Sequence, residues 1–240
     1  MAWLRGWVEW NHTAAESDFT RSIALSPRSS TAHQWYGEYL SVTGRHDDAI
    51  RELRLAIDID PISPMLNTMA GFVLFLARRY ETALEHCTRA LELQSDFLMA
   101  HYVRSCVYHK LGLFDRAFEE LGQTREIWGV GYPLERAVLD AAANQRSEAL
   151  SGILELKSNA QPIHGYRWLN LALIYGGLGE RDKAFACLEA AHKAHTHALL
   201  YVNVDPRLDV LRADPRFETF LSRIRLAKFN LDEKAPESAI

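Results

Sequence analysis

Three histidines in the last quarter of the chain form its densest group of residues that could do chemistry. His192, His195 and His197 lie within six positions, and the first two have the i, i+3 spacing that places side chains on one side of a helix. Imidazole nitrogens so arranged could bind zinc, but zinc sites usually need three or four converging ligands. A cationic histidine is also favourable near a helix C-terminus. We therefore predict no metal site here.

The three cysteines, Cys87, Cys106 and Cys187, are an odd number and far apart. This spacing does not predict a disulfide framework and favours a reducing, cytoplasmic compartment. Cys106 could be a reactive thiol, but no histidine or lysine partner can be assigned to it from the sequence. We interpret it as a small packed residue on a helix.

Catalytic patterns are missing from the sequence. Glu135 and Asp140 are five residues apart, too far around a helix to share a face as an acid/base pair. No G-x-S-x-G, H-E-x-x-H, P-loop or G-x-G-x-x-G pattern occurs. We predict that the chain is not an enzyme and holds no cofactor.

The elements that carry these residues come from an internal repeat. A small residue returns at separations of 34, 34, 34, 32 and 35, and four residues after it the chain is always apolar. We call the members of this series the landmark alanines: Ala15, Ala49, Ala83, Ala117, Ala149 and Ala184. The paired positions predict a helix with a packed stripe in every unit.

Glycine and proline mark the ends of these helices. Gly44, Gly112 and Gly179 lie five residues before a landmark alanine, where a turn needs a positive φ. Gly37 and Gly71 lie twelve before it, where a larger side chain would keep two paired helices apart. Pro27, Pro61, Ser95 and Gly129 follow a landmark alanine by twelve residues and predict the end of a helix.

These positions resemble the tetratricopeptide repeat, whose first helix reads W-x2-L-G-x2-Y. Trp168, Leu171 and Tyr175 fit that helix, whereas Pro133 and Asp140 depart from it in a degenerate unit. The resemblance implies an all-α, right-handed α-solenoid of about six helical hairpins with a C-terminal helical cap. The expected units are about 1–29, 30–63, 64–97, 98–131, 132–164 and 165–198, with a cap at 199–226 and a disordered tail at 227–240.

The cap contains two copies of the same three residues, nine positions apart: Asp205-Pro206-Arg207 and Asp214-Pro215-Arg216. Aspartate before proline predicts a helix N-cap with proline as the first helical residue. Such a lid would cover the apolar face of the last repeat. The ending resembles tetratricopeptide segments of bacterial winged-helix regulators, adenylyl cyclases and Ser/Thr kinases, although no DNA-binding helix or kinase motif is present here.

Function in this architecture is expected on the concave face, which the first helices of the units line. The positions are apolar and methionine-rich in the middle units, which suits an adaptable surface for an apolar partner. The predicted partner-binding residues are Gln34, Trp35, Glu38, Met65, Met69, Phe72, Phe75, Met99, Tyr102 and Cys106. The alternative is that these side chains only pack against neighbouring helices. A cluster of Lys, Arg and Asn for a peptide carboxylate is missing.

The sequence therefore favours a noncatalytic protein-interaction module of a bacterial regulatory protein. Two alternatives stay open: self-association through the first unit, where Trp3, Trp7 and Trp10 lie, and a sensor domain for a small molecule. The formal charge of −4 gives no general attraction to nucleic acid, and no apolar run is long enough to predict a membrane span. Partners are expected to be proteins or peptides, with a homo-oligomer possible.

Overall fold

The computed structural model of the 240-residue chain describes residues 2, 5, 6, 12–125, 132–158 and 166–224. Within these ranges every regular element is helical and no strand occurs. Successive helices pair as antiparallel hairpins and each hairpin packs on the next, so the chain is an all-α, right-handed α-solenoid with a helical cap. This confirms the fold class that the repeat predicts. No described helix is long and apolar enough to cross a membrane.

Thirteen α-helices are described. They are α1 (His12–Leu25), α2 (Ser30–Val42), α3 (His46–Ile59), α4 (Pro64–Leu76), α5 (Tyr80–Leu93), α6 (Leu98–Lys110), α7 (Phe114–Gln123), α8 (Tyr132–Ala142), α9 (Arg146–Ser158), α10 (Tyr166–Gly177), α11 (Arg181–Lys193), α12 (Asp209–Arg212) and α13 (Pro215–Arg223). Two 3₁₀ turns, His197–Tyr201 and Pro206–Leu208, lie between α11 and α12.

The landmark alanines lie at the contact between the two helices of each hairpin. All six have no solvent exposure, and the apolar residues four positions later are at most 5% exposed. Gly71 lies opposite one of these stripes: a Cβ there would stand 2.5 Å from Cys87 Sγ and 3.1 Å from the carbonyl oxygen of Ala83. The predicted role of this glycine in close helix packing is confirmed.

In the five hairpins whose turn is described, the turn uses the left-handed region five residues before the landmark alanine. Gly44, Gly112 and Gly179 have φ values of 84°, 72° and 76° there. Arg78 and Asn144 take the same place in two units at φ 61°, although a side chain makes this conformation unfavourable. The turn geometry therefore follows the repeat even where glycine is absent.

A histidine ties the two helices together in two of the units; it is buried in the first and half-buried in the second. His33 Nδ1 lies 2.7 Å from Glu52 Oε2 on the paired helix, and its Nε2 lies 3.0 Å from the carbonyl oxygen of Pro27. His101 repeats this arrangement two units later, 2.7 Å from Glu120. Because both ring nitrogens are used in the fold, neither histidine is a candidate for chemistry.

The C-terminal part of the chain has two roles. Helix α13 covers the last hairpin, where the Arg216 guanidinium lies 4.4 Å from the centre of the Phe185 ring and pairs with Asp182 at 2.7 Å. Residues 199–212, which we call the cap segment, cross the concave face instead. Val204 of this segment shares a core cluster with Phe75 and Val107. The lid predicted from the sequence thus reaches back to the third and fourth units.

Candidate functional site

A cavity of about 200 Å³ lies between the concave face and the cap segment. Its walls are mainly aromatic and apolar, with three carboxylates and one guanidinium among them. The lining residues are Glu38, Met69, Phe72, Met99, Tyr102, Val103, Glu135, Tyr166, Leu169, Asn170, Tyr201, Asp205 and Arg207. Met99 and Tyr166 are 40% and 43% exposed, so they form its mouth.

The repeat register explains which residues from the solenoid line the cavity. The positions 14 residues before successive landmark alanines are Trp35, Met69, Val103, Glu135 and Asn170, and the last four are lining residues. The predicted partner-binding residues end at Cys106 in the fourth unit and do not include Glu135, Tyr166, Leu169 and Asn170. The residues from the cap segment carry no repeat signal that could have placed them there.

The floor of the cavity contains a buried ion pair from the cap segment. Arg207 donates to both carboxylate oxygens of Asp205, with Nη2 at 2.8 Å from Oδ2 and Nε at 3.1 Å from Oδ1. Burial alone would raise the pKa of Asp205, but the adjacent guanidinium holds it below its usual range. The charge of Arg207 is therefore already matched within the protein.

Arg207 is also hydrogen-bonded to the solenoid. Its Nη1 donates to the Tyr102 hydroxyl at 3.2 Å and lies 3.4 Å from Cys106 Sγ. Tyr102 in turn donates to Glu135 Oε2 at 3.4 Å, and Asn170 Nδ2 donates to Glu135 Oε1 at 2.6 Å. This network holds the cap segment against α6, α8 and α10.

Glu135 and Glu38 are the two lining carboxylates that form no ion pair with the described residues. Both accept hydrogen bonds from neutral amide or phenol groups. For Glu38 the donor is Gln34 Nε2, which lies 2.9 Å from Oε1. Burial raises the pKa of Glu135, despite the opposing effects of the Arg207 charge and the two hydrogen bonds. Burial also raises the pKa of Glu38 to about 7, despite the hydrogen bond from Gln34. The cavity therefore contains two carboxyl groups that lack a directly paired counterion among the described residues.

Three aromatic rings line the same cavity as these carboxylates. Tyr201 of the cap segment lies 5.7 Å from Phe72 and 6.2 Å from Tyr166, measured between ring centres. Burial, together with the charge of Glu38, raises the pKa of Tyr166 to about 12, so its hydroxyl stays protonated at neutral pH. The rings offer polarisable faces beside the carboxylates.

The ten predicted partner-binding residues fall into three groups by solvent exposure. Trp35, Met65 and Met99 are exposed by 39%, 42% and 40%. Gln34, Glu38, Met69, Phe72 and Tyr102 are half-buried, and all of these except Gln34 line the cavity. Phe75 and Cys106 are buried, so they lie beneath the surface of the face. Burial raises the pKa of the Cys106 thiol to about 11, despite the opposing effect of Arg207.

The structure does not place His192 and His195 on one helix, as their spacing suggested. Helix α11 ends at Lys193, so His195 lies beyond it, in the left-handed region at φ 47°. The rings of His192 and His195 are 6.2 Å apart, and His197 packs edge-on against Tyr166 at 4.9 Å. In the ranges described, no group of three or more His, Cys, Asp or Glu residues could hold a metal ion.

Helical hairpins of about 34 residues, stacked with buried alanines at a fixed offset, define the class as a tetratricopeptide-repeat solenoid. Family models described as "Tetratricopeptide repeat" match residues 11–64 and 166–193. The chain thus contains tetratricopeptide repeats near both ends, and the fold between them continues the same pattern.

Solved structures share this fold. PilW, a widely conserved type IV pilus biogenesis factor, has a TM-score of 0.60 at 19% identity, covering 88% of this chain and 92% of PilW. A tetratricopeptide repeat protein from Parabacteroides merdae has a TM-score of 0.59 at 16% identity, covering 93% of this chain and 89% of that one. At this level of identity the similarity concerns the fold.

Curated relatives match part of the chain. Anaphase-promoting complex subunit 3 of Schizosaccharomyces pombe is 30% identical over 116 residues, which are 47% of this chain and 17% of the relative. Human tetratricopeptide repeat protein 13 is 29% identical over 109 residues, covering 45% of this chain and 13% of the relative. The chain therefore spans less than a fifth of the length of these curated relatives.

Proposed function

We propose that the chain is a noncatalytic protein-interaction scaffold that binds an apolar segment of a partner protein across the mouth of the concave face. The observation that carries this proposal is the exposure of Trp35, Met65 and Met99 on α2, α4 and α6, the first helices of three consecutive units. Large apolar side chains exposed together are typical of interaction sites. Methionine beside tryptophan suits a surface that adapts to its partner.

Met99 lines the cavity, and helix spacing relates Trp35 and Met65 to other lining residues. Trp35 precedes Glu38 by three residues, Met65 precedes Met69 by four, and Met99 itself lines the cavity. Residues three or four apart are neighbours on a helix surface. A bound segment that covers the three apolar side chains would therefore pass over the cavity mouth.

The biological setting belongs to the same proposal. The resemblance of the C-terminal sequence to bacterial regulatory proteins supports a scaffold that is part of a cytoplasmic regulator, with recognition by shape and apolar contact. The self-association alternative depends on Trp3, Trp7 and Trp10, which lie outside the described residues. A cavity of about 200 Å³ is smaller than the roughly 300–1,000 Å³ of typical ligand pockets, which weighs against the small-molecule sensor for ligands of drug-like size.

Selection from a displayed random-peptide library tests the proposal. Peptides enriched on the chain should share apolar side chains, and their affinity, measured by fluorescence anisotropy, should fall at least about tenfold in the Trp35→Glu, Met65→Glu variant. Leu55→Glu is the matched control, because Leu55 is 47% exposed on α3, the second helix of its unit. If no peptide is enriched, or if the control variant loses affinity equally, the concave mouth is not the binding surface.

A further inference from the structure

We propose that the cavity behind the cap segment is a binding site for an organic cation, an ammonium group on an aliphatic stem. The inference rests on the proposed function, because the cation that fits is the side chain of a lysine in the bound segment. A free aliphatic amine has the same chemistry. The tests below separate the two sources.

The charges in the cavity favour a cation. Its described lining contains three carboxylates and a single basic residue, Arg207, which is paired with Asp205. Glu38 and Glu135 accept hydrogen bonds from neutral groups. A recessed carboxylate without a counterion is unfavourable, and a positively charged guest removes that cost by direct pairing. An anionic guest would instead add repulsion.

The rings make the site selective for an organic cation. Phe72, Tyr166 and Tyr201 stand beside Glu38 around one cavity, and Met69 and Met99 complete its apolar lining. Aromatic faces attract ammonium groups by their quadrupole, and apolar walls accommodate an aliphatic stem. A bare metal ion lacks such a stem, and the described part of the chain has no cluster that could hold one. The cavity volume of about 200 Å³ suits a single long side chain.

The position of the cavity connects it to peptide binding. Its mouth is formed by Met99 and Tyr166, and Met99 also belongs to the exposed apolar surface proposed for the partner segment. A segment lying on Trp35, Met65 and Met99 could thus direct one side chain inward. The apolar mouth would provide contact area, and the cavity would select lysine at one position of the segment.

The free amine is tested with n-butylammonium chloride and butan-1-ol as probes. The chain has four methionines, so ¹³C-methyl labelling gives individual NMR signals for Met69 and Met99 in the cavity and for Met65 outside it. We expect n-butylammonium to shift the Met69 and Met99 signals saturably, with butan-1-ol at least about tenfold weaker, as expected for one charge-assisted contact.

Glu38→Gln should weaken n-butylammonium binding by about tenfold or more, because it removes the charge but keeps an oxygen that can accept from Gln34. Glu119→Gln is the matched control, since Glu119 is exposed on α7 and the change in net charge is the same. Melting curves of both variants establish that they fold. Equal binding of n-butylammonium by wild type and Glu38→Gln overturns the cation site.

The other source of the cation, a lysine side chain of a bound peptide, is tested with lysine-containing peptides from the library selection. Each peptide is compared with its lysine→norleucine analogue. If the lysine side chain occupies the cavity, the lysine preference of about tenfold in wild type disappears in Glu38→Gln. If n-butylammonium binds through Glu38 but no peptide needs lysine, the site holds a free amine. If peptides bind through Trp35 and Met65 with no dependence on lysine or Glu38, and n-butylammonium does not bind, the scaffold function stands and the cation inference fails.

Discussion

Two Asp-Pro-Arg motifs, nine residues apart, form the same N-cap but have different surroundings. In each, the aspartate accepts from the backbone N–H two residues later and pairs with the arginine side chain. The first, at Asp205, is buried against the concave face and reaches Tyr102 and Cys106. The second, at Asp214, lies on the outside of the last hairpin and reaches Asp182. Equal sequences thus give equal N-caps, but only the first N-cap lies at the cavity.

Replacement of the two aspartates should give the largest difference between these motifs. Asp205→Asn keeps a side-chain acceptor for the Arg207 N–H but leaves the buried guanidinium without its counterion. We expect a loss of about 3–5 kcal/mol in the free energy of unfolding, measured by urea denaturation. Asp214→Asn should have a much smaller effect, because Arg216 is half exposed and keeps Asp182. Similar losses of stability in both variants would mean that the buried Asp205–Arg207 pair contributes no stability beyond that of the N-cap.

The stability of the chain should depend on pH through Glu38. With a folded-state pKa near 7 and an ordinary value of 4.5, the folded chain binds more protons than the unfolded chain between pH 4.5 and 7. Stability from this residue therefore falls as pH rises through that window, by up to about 3 kcal/mol. Glu38→Gln should gain stability relative to wild type at pH 8 but not at pH 4.5.

Other groups around the cavity titrate or carry charge as well. They are Tyr102, Glu135, Tyr166, Tyr201, Asp205 and Arg207. Glu135 also has a raised pKa and acts in the same direction, so the measurement is the difference between Glu38→Gln and wild type in urea midpoints at the two pH values. Glu119→Gln, on the exposed side of α7, provides the baseline. A difference that is constant with pH would contradict the raised pKa.

Two glycines inside helices allow a further comparison between a packed position and an open one. Gly71→Ala places a Cβ against Cys87 Sγ and the Ala83 carbonyl, and we expect it to lower the free energy of unfolding by about 1–3 kcal/mol. Gly122 is also helical but has open space around it, so Gly122→Ala should be neutral or stabilising by up to about 1 kcal/mol. Thermal and urea denaturation of both variants measure this. A stabilised Gly71→Ala chain would show that the helices can separate without cost.

The smallest effect is expected at the left-handed turn positions. Asn144→Gly should stabilise the chain by up to about 1 kcal/mol, because glycine relieves the positive φ. Arg78→Gly relieves the same strain but also removes the 2.6 Å ion pair with Asp209 of the cap segment. Its gain should therefore be smaller, which urea denaturation of the two variants can measure. An equal gain would mean that the exposed pair contributes nothing to cap docking.

The sequence by itself determined the repeat, the hairpins and the faces of their helices. The landmark alanines predict the buried stripe in every unit because contacts within a hairpin join residues close in sequence. The same periodicity placed Glu38, Met69, Phe72 and Tyr102 on the concave face. Extended to the later units, it also reaches Glu135 and Asn170.

Only the tertiary structure decided which part of that face stays open. The cap segment contacts the solenoid through pairs separated by 96 to 131 residues, such as Lys110 with Pro206 and Arg78 with Asp209. These contacts bury Phe75 and Cys106 and enclose the cavity, while Trp35, Met65 and Met99 remain exposed. The three-residue Asp-Pro-Arg motif specifies its own N-cap. Its burial depends on contacts with residues far away in the sequence, and no local sequence pattern encodes those contacts.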